Sequence, residues 1–239
     1  MSNIRLFYPA SLLLNLNSKL DKSQSHYVNK VMRVKVNETF SLFNSNGEWE
    51  AKVKEITKGI VEFIVTKQIR QKENSKEIWL AFSPIKKNYL DLMIQKTTEL
   101  GVNKFVPILC DRSVVREINI NRVKKIIVEA SEQSNRISIP EIAELKQIKY
   151  FLENFPKEGS LIFCDLNSKN FDIKSNLSKI NKKKPICILI GPEGDFSESE
   201  RQSIIDMEQS FSMSLAQNIL RSETAAIAAV TILNYQLNS

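Results

Sequence analysis

The chain is poor in the side chains that commonly carry out chemistry. Among 239 residues there is one histidine, His26, and there are three cysteines, Cys110, Cys164 and Cys187. A single histidine leaves little room for Ser-His or Cys-His nucleophile pairs. The cysteines lie far apart, in or beside apolar strand-like runs, and lack the spacing of a metal site. They read as three buried, reduced thiols. Also missing are a GxGxxG fingerprint, a Walker loop, an HExxH helix and a GxSxG elbow. The longest apolar runs, Ile186 to Ile190 and Ala225 to Leu233, fall short of a bilayer span. Met1 to Pro9 has no apolar signal-peptide run. These absences predict a soluble, cytoplasmic chain with no membrane segment and no metal. They favour chemistry in which a cofactor carries the reactive group and the protein positions it.

What is present is unevenly distributed. Residues 1–75 hold 12 Lys+Arg against 7 Asp+Glu, whereas residues 76–239 hold 22 against 20. A basic small module beside a nearly neutral larger one suggests an anionic partner such as nucleic acid, or simply a solvated lysine-rich surface. The first third reads as short strands: Arg5–Tyr8, His26–Arg33, Thr39–Phe43, Trp49–Val53 and Ile60–Val65, with Asn46-Gly47 as a hairpin turn. Alternation of apolar and polar residues predicts a small β-barrel over 1–72, followed by a polar linker, Gln71 to Lys76.

From Ile78 the pattern becomes strand–helix alternation, which predicts a parallel sheet covered on both faces over 73–239. Strands are expected at Ile78–Phe82, Phe105–Leu109, Leu161–Cys164, Ile186–Ile190 and Phe211–Leu215. Helices are expected over 85–100, closed by Gly101, and over 121–135. Ser197-Glu198-Ser199-Glu200 is a capping box that opens another. The final segment, Thr224 to Leu237, is apolar over most of its circumference and is expected to be buried, often against another subunit.

Two loops in this half stand out. Gly191-Pro192-Glu193-Gly194-Asp195-Phe196 follows a strand and holds two of the six glycines, which suggests a close approach to the backbone. Leu215 to Thr224 is the second. In it Arg221 stands just before a long helix, where the dipole disfavours a cation, so an anionic or electron-rich partner is expected there. Glu223, in the first turn, is electrostatically ordinary.

The segments Ile190-Gly-Pro-Glu-Gly-Asp-Phe-Ser and Leu215-Ala-Gln-Asn-Ile-Leu-Arg-Ser-Glu-Thr-Ala resemble signatures of the bacterial uridine-N3 methyltransferases of small-subunit (16S-type) ribosomal RNA. That family belongs to the SPOUT superfamily of trefoil-knotted enzymes. Gln95 to Val102, Asp111-Arg112-Ser113 and Glu129 to Arg136 are similar in the right order, and His26 to Arg33 resembles the family's PUA-like RNA-binding domain. Asp195 and Ala216 stand where the family usually has glycine.

The resemblance implies an α/β protein with a knotted, parallel-sheet methyltransferase domain behind the PUA-like barrel. It implies S-adenosylmethionine held by Ile190, Gly191, Pro192, Glu193 and Gly194, by Leu215, Ala216, Ile219, Leu220 and Ser222, and by a third wall at the end of the Leu161–Asp165 strand, with Phe163 and Cys164. It implies a homodimer acting on ribosomal RNA or an assembled 30S-type subunit. Arg5, His26, Arg33, Lys96, Arg112 and Arg136 match polar positions of the motifs and would mainly contact phosphate; His26 reads equally well as a core or strand-surface residue. Arg221 is the first catalytic candidate, as a cation near the uracil oxygens. Glu223 is the second, less suited as a base because a helix N-terminus favours its ionised form. Two other readings stay open here: a non-catalytic RNA-binding protein on a methyltransferase shell, and a ribose 2′-O-methyltransferase of the same superfamily.

Overall fold

A computed structural model describes residues 4–72, 76–168, 180 and 182–238. The chain divides into two compact units: residues 1–74 with 131–139, and residues 75–130 with 140–239. The segment 131–139 was expected with the larger domain. It joins the smaller unit because Arg5 donates to the Ser131 carbonyl at 2.9 Å and the Phe7 N–H to Glu132 at 2.9 Å. Of the expected linker, Gln71 closes a strand, and 73–75 lie outside the described residues.

The smaller unit is a five-stranded sheet of β1 (Arg5–Phe7), β2 (Asn17–Lys19), β3 (Thr39–Asn44), β4 (Gly47–Thr57) and β5 (Ile60–Gln71), in the order β1-β3-β4-β5-β2. Hydrogen bonding leaves β1 and β2 as edges, but Tyr8 Oη and Ser18 Oγ meet at 2.7 Å between their ends. The sheet is thus curled like a barrel about Leu42, Val53, Phe63 and Val65, which are fully buried. Two tight hairpins set the registers. Thr57 pairs with Ile60 across Lys58-Gly59, both at positive φ (51° and 80°), the turn chemistry that matches strand twist. Asn44 pairs with Gly47, so the other turn is Ser45-Asn46, one residue earlier than expected. Gly47 lies in the strand at φ 128°, and a Cβ there would sit 2.4 Å from the Arg70 carbonyl oxygen.

The expected strand His26–Arg33 is helical instead. Lys22–His26 is an α-helix capped by Asp21, whose carboxylate accepts from the Gln24 N–H at 2.8 Å, and Tyr27–Val31 continues as a wider π turn. Ser25 and Val28 face inward three residues apart, while Tyr27, Val31 and Met32 are exposed. The apparent strand alternation therefore followed exposed residues rather than a buried face.

The larger unit has β6 (Ile78–Phe82), β7 (Lys104–Leu109), β8 (Glu141–Ile142), β9 (Lys146–Gln147), β10 (Ser160–Cys164), β11 (Ile186–Ile190) and β12 (Ser210–Met213). The order is β12-β10-β11-β6-β7-β8, with β9 also beside β7, and every pairing is parallel. All five residues of β11 are buried, as a strand covered on both faces requires. Helices run Lys87–Glu99, Ile120–Gln133, Ile148–Glu153, Glu198–Ile205 and Ser222–Asn238. The first ends as expected at Gly101 (φ 101°). The Val102 N–H reaches the Thr97 carbonyl and the Gly101 N–H the Thr98 carbonyl, both at 3.0 Å, the two bonds of a Schellman cap. The Ser222–Asn238 helix packs on Lys87–Glu99 and β11. Among the described residues no helix is long and apolar enough to cross a membrane.

Within the smaller unit, Glu48 is buried and meets Arg5 at 3.2 Å and Arg70 at 2.5 Å. Removing the shared carboxylate strands the nearly enclosed Arg5 guanidinium. Glu48→Gln is expected to cost about 3 kcal/mol, the lower range for breaking a buried pair, as read by denaturant unfolding; an unchanged midpoint would show that the pair does not hold the unit.

Candidate functional site

In a parallel sheet all strands leave at one edge, and ligands gather there. In the larger unit a cleft of about 650 Å³, counted out to its mouth, opens between the loops after β10, β11 and β12. Its described lining comprises Cys164, Asp165 and Leu166; Ile190, Gly191, Pro192 and Asp195; Met213 to Leu220; and Ser222 and Ala225 of the last helix. Ser222 Oγ donates to the Gly191 carbonyl at 3.3 Å and so joins the two signature loops.

Nine of the twelve expected cofactor residues are in this lining: Cys164, Ile190, Gly191, Pro192, Leu215, Ala216, Ile219, Leu220 and Ser222. Phe163, Glu193 and Gly194 are not. Phe163 is buried with its ring edge-on to Phe196 at 5.4 Å, so it supports the loop from beneath. Glu193 and Gly194 are exposed. Sequence reading missed Leu166, Asp195, Met213, Ser214, Gln217, Asn218 and Ala225 as lining residues, while Asp165 closes the strand end expected as the third wall. For Leu166 and Ser214 the available signal was their position just after strand ends.

The glycine at 191 answers to the chain's own packing. A Cβ there would lie 2.6 Å from a ring carbon of Phe196, which is buried. Next to it Asp195 adopts φ 60°, the left-handed region that aspartate tolerates better than most residues, and its carboxylate accepts from the Phe196 N–H at 2.8 Å. The backbone thus keeps at Asp195 a conformation suited to glycine.

One helical turn holds the loops together. Ser197 and Glu200 form the expected capping box at the start of Glu198–Ile205. Glu200, buried, also accepts from the Asp111 N–H at 2.8 Å, and Ser197 Oγ donates to Asp111 at 2.8 Å. The neighbouring Arg201 grips both oxygens of Asp165, at 2.8 and 3.3 Å. Asp165 is buried, and its partner's positive charge offsets the cost. The Asp111-Arg112-Ser113 motif is part of the same frame: Ser113 Oγ meets Ser83 Oγ at 2.8 Å and accepts from the Cys110 N–H. Burial pushes the Cys164 thiol up to about 12, so it stays protonated near neutrality and is a poor nucleophile. Cys110 is likewise pushed up to about 12, by burial first, and burial raises Cys187 as well.

The two catalytic candidates are placed differently. Arg221 is exposed, between lining residues Leu220 and Ser222, with its guanidinium 5.6 Å from the centre of the Tyr89 ring. Glu223 is buried in the first turn of the last helix.

The candidate RNA residues divide also. In the smaller unit His26 and Arg33 are exposed, Arg33 at φ 55°. Arg5 is no surface cation. Its side chain is nearly enclosed over the Phe43 ring at 3.7 Å, paired with Glu48 and bonded to the carbonyls of Ser131 and Arg136. Arg136 is half-buried, donates to Ser138 Oγ at 3.3 Å, and has its pKa lowered by burial to about 10. These two arginines bind the unit's own segments, and phosphate contact would require breaking those bonds. In the larger unit Lys96 pairs with Glu99 at 3.0 Å, and exposed Arg112 donates to the Gly194 carbonyl at 3.4 Å. Among the described residues no cluster of His, Cys, Asp and Glu could hold a metal.

Gly191→Ala should push a methyl group into a ring that cannot retreat. The expected cost is about 1–3 kcal/mol, as for overpacking elsewhere, measured by chemical denaturation; wild-type stability would mean that the Phe196 contact is slack.

Comparison with known proteins places both units. The model of an RNA methyltransferase domain matches residues 72–234, and that of an RNA methyltransferase PUA domain matches residues 20–66. The chain is 32% identical over 218 residues to a ribosomal RNA small subunit methyltransferase E of Rickettsia conorii, covering 90% of this chain and 88% of the relative. It is 33% identical over 241 residues to the protein of the same name from Buchnera aphidicola of Schizaphis graminum, covering 96% and 94%. The crystal structure of a methyltransferase of that name from Neisseria gonorrhoeae, bound to S-adenosyl methionine, superposes with a TM-score of 0.86 at 26% identity, over 98% of this chain and 97% of that one.

Proposed function

The chain belongs to the RNA methyltransferase family that includes the ribosomal RNA small subunit methyltransferases E, and from that premise we propose that it transfers a methyl group from S-adenosylmethionine to N3 of a uridine in small-subunit ribosomal RNA. The cleft after β10, β11 and β12 carries this reading. Its described lining contains the carboxylates of Asp165 and Asp195 and no lysine or arginine, which suits a ligand bearing positive charge. Apolar walls at Ile190, Leu215 and Leu220 suit a planar base, and the turns offer backbone groups to its polar edge. Ile190 to Pro192 with Asp195, the 215–222 loop, and Cys164 to Leu166 would hold the donor. When bound, it supplies an electrophilic methyl group on a positively charged sulfur.

The protein's part is to present the base and manage charge. N3 lies on the Watson–Crick edge, so the uracil must be unpaired and turned out. As its proton leaves to solvent, negative charge spreads onto O2 and O4. Arg221, exposed beside two lining residues, stabilises that charge. Glu223 is enclosed and is assigned no proton transfer. The protonated Cys164 thiol does not compete for the methyl group.

RNA reaches the smaller unit through exposed His26 and Arg33, and the larger through Arg112, mainly by phosphate contact. A second copy would cover what the last helix leaves open, including exposed Tyr235, giving a homodimer. The SPOUT-type knot belongs to this reading through the resemblance. Ribosomal RNA as substrate supports a cytoplasmic location.

Labelled donor incubated with small ribosomal subunits should yield 3-methyluridine on nucleoside analysis; label on a ribose oxygen or on no nucleoside would overturn the assignment. Arg221→Ala is expected to slow methyl transfer about a hundredfold, as for loss of one preorganised donor, with cofactor affinity nearly intact. Undiminished turnover would remove Arg221 from the mechanism.

A further inference from the structure

Two carboxylates line the cleft, and their circumstances differ. Asp165 is spoken for: Arg201 bonds both of its oxygens. Asp195 is half-buried, and one oxygen, Oδ1, accepts from the Phe196 N–H at 2.8 Å. Arg201 feels the Asp195 charge but gives its hydrogen bonds to Asp165, and Arg112 donates to the Gly194 carbonyl. Asp195 is therefore the one carboxylate in the described lining without an ion-pair partner. It is also where the resembling family usually has glycine, so its charge is an addition on a backbone that keeps a positive φ.

We infer that Asp195 makes this cleft discriminate between methyl donor and spent product by charge. The inference rests on the reading of the cleft as the donor site. Methyl transfer turns the sulfonium of S-adenosylmethionine into the neutral thioether of S-adenosylhomocysteine. The amino and carboxylate groups are the same in both, so the difference is one positive charge on sulfur. A fixed negative charge in a partly enclosed cleft favours the cationic form, and the attraction disappears when the methyl group has left. Asp195 thereby strengthens donor binding without strengthening the hold on product. It is a specificity residue and takes no part in the chemical step.

Calorimetric titration of both ligands into wild type, Asp195→Asn and Asp195→Gly tests this. Asparagine keeps the shape, the acceptor for Phe196 and tolerance of φ 60°; glycine restores the usual family residue. Both variants should bind S-adenosylmethionine about fivefold more weakly, the upper range for a partly exposed ion pair. Affinity for S-adenosylhomocysteine should be unchanged, and the wild-type preference should shrink at high salt. An equal change for the two ligands, no change for either, or a change in the glycine variant alone would overturn the inference. If wild type binds neither ligand, the cofactor reading falls, and this inference with it.

Discussion

The carboxylate of Glu200 accepts from two backbone N–H groups, those of Ser197 and Asp111, and its neighbour Arg201 holds Asp165. The first turn of one short helix therefore fixes the loops after β7, β10 and β11 relative to one another. Loops are ordinarily the loosest part of an α/β domain. Here partly buried, charge-assisted hydrogen bonds hold them, and such bonds are roughly twice as strong as neutral ones. Ser222 adds the remaining loop through the Gly191 carbonyl. A cleft framed in this way keeps its shape before a ligand arrives, which reduces the entropy lost on binding.

Division of labour between side chains and backbone follows from the same frame. The sequence offers no histidine pair and no accessible thiolate, and the cleft needs neither. Its walls are strand-end backbone and aliphatic groups, and the charges within it are negative. The only exposed catalytic candidate is a permanent cation at the flank. An arginine does not exchange protons near neutrality. The chemistry assigned to it is thus electrostatic, and the proton passes to water.

Much of this was legible in the sequence, for identifiable reasons. β6 and β11 were found to the residue because strands buried on both faces read as unbroken apolar runs. The capping box and the glycine closing Lys87–Glu99 were found because their hydrogen bonding is local. The failures involved contacts remote in sequence. His26–Arg33 reads as a strand because Tyr27, Val28, Val31 and Met32 make it rich in strand-forming and apolar residues, while the cap at Asp21 marks a helix. Arg5 looked like an RNA contact, but its partner Glu48 and the carbonyls at Ser131 and Arg136 lie far along the chain. The pairing that holds Asp165 was not legible because Arg201 lies thirty-six residues on. Gly191 was rightly singled out for a close approach to the backbone, and the Phe196 ring makes one.

Amide hydrogen exchange with and without S-adenosylmethionine tests most directly whether the framed loops form one cofactor site. Protection is expected to rise together at Asp165–Ser168, Gly191–Phe196 and Leu215–Leu220, with little change in residues 39–71. Protection confined to one of these loops, or none at saturating ligand, would contradict the account.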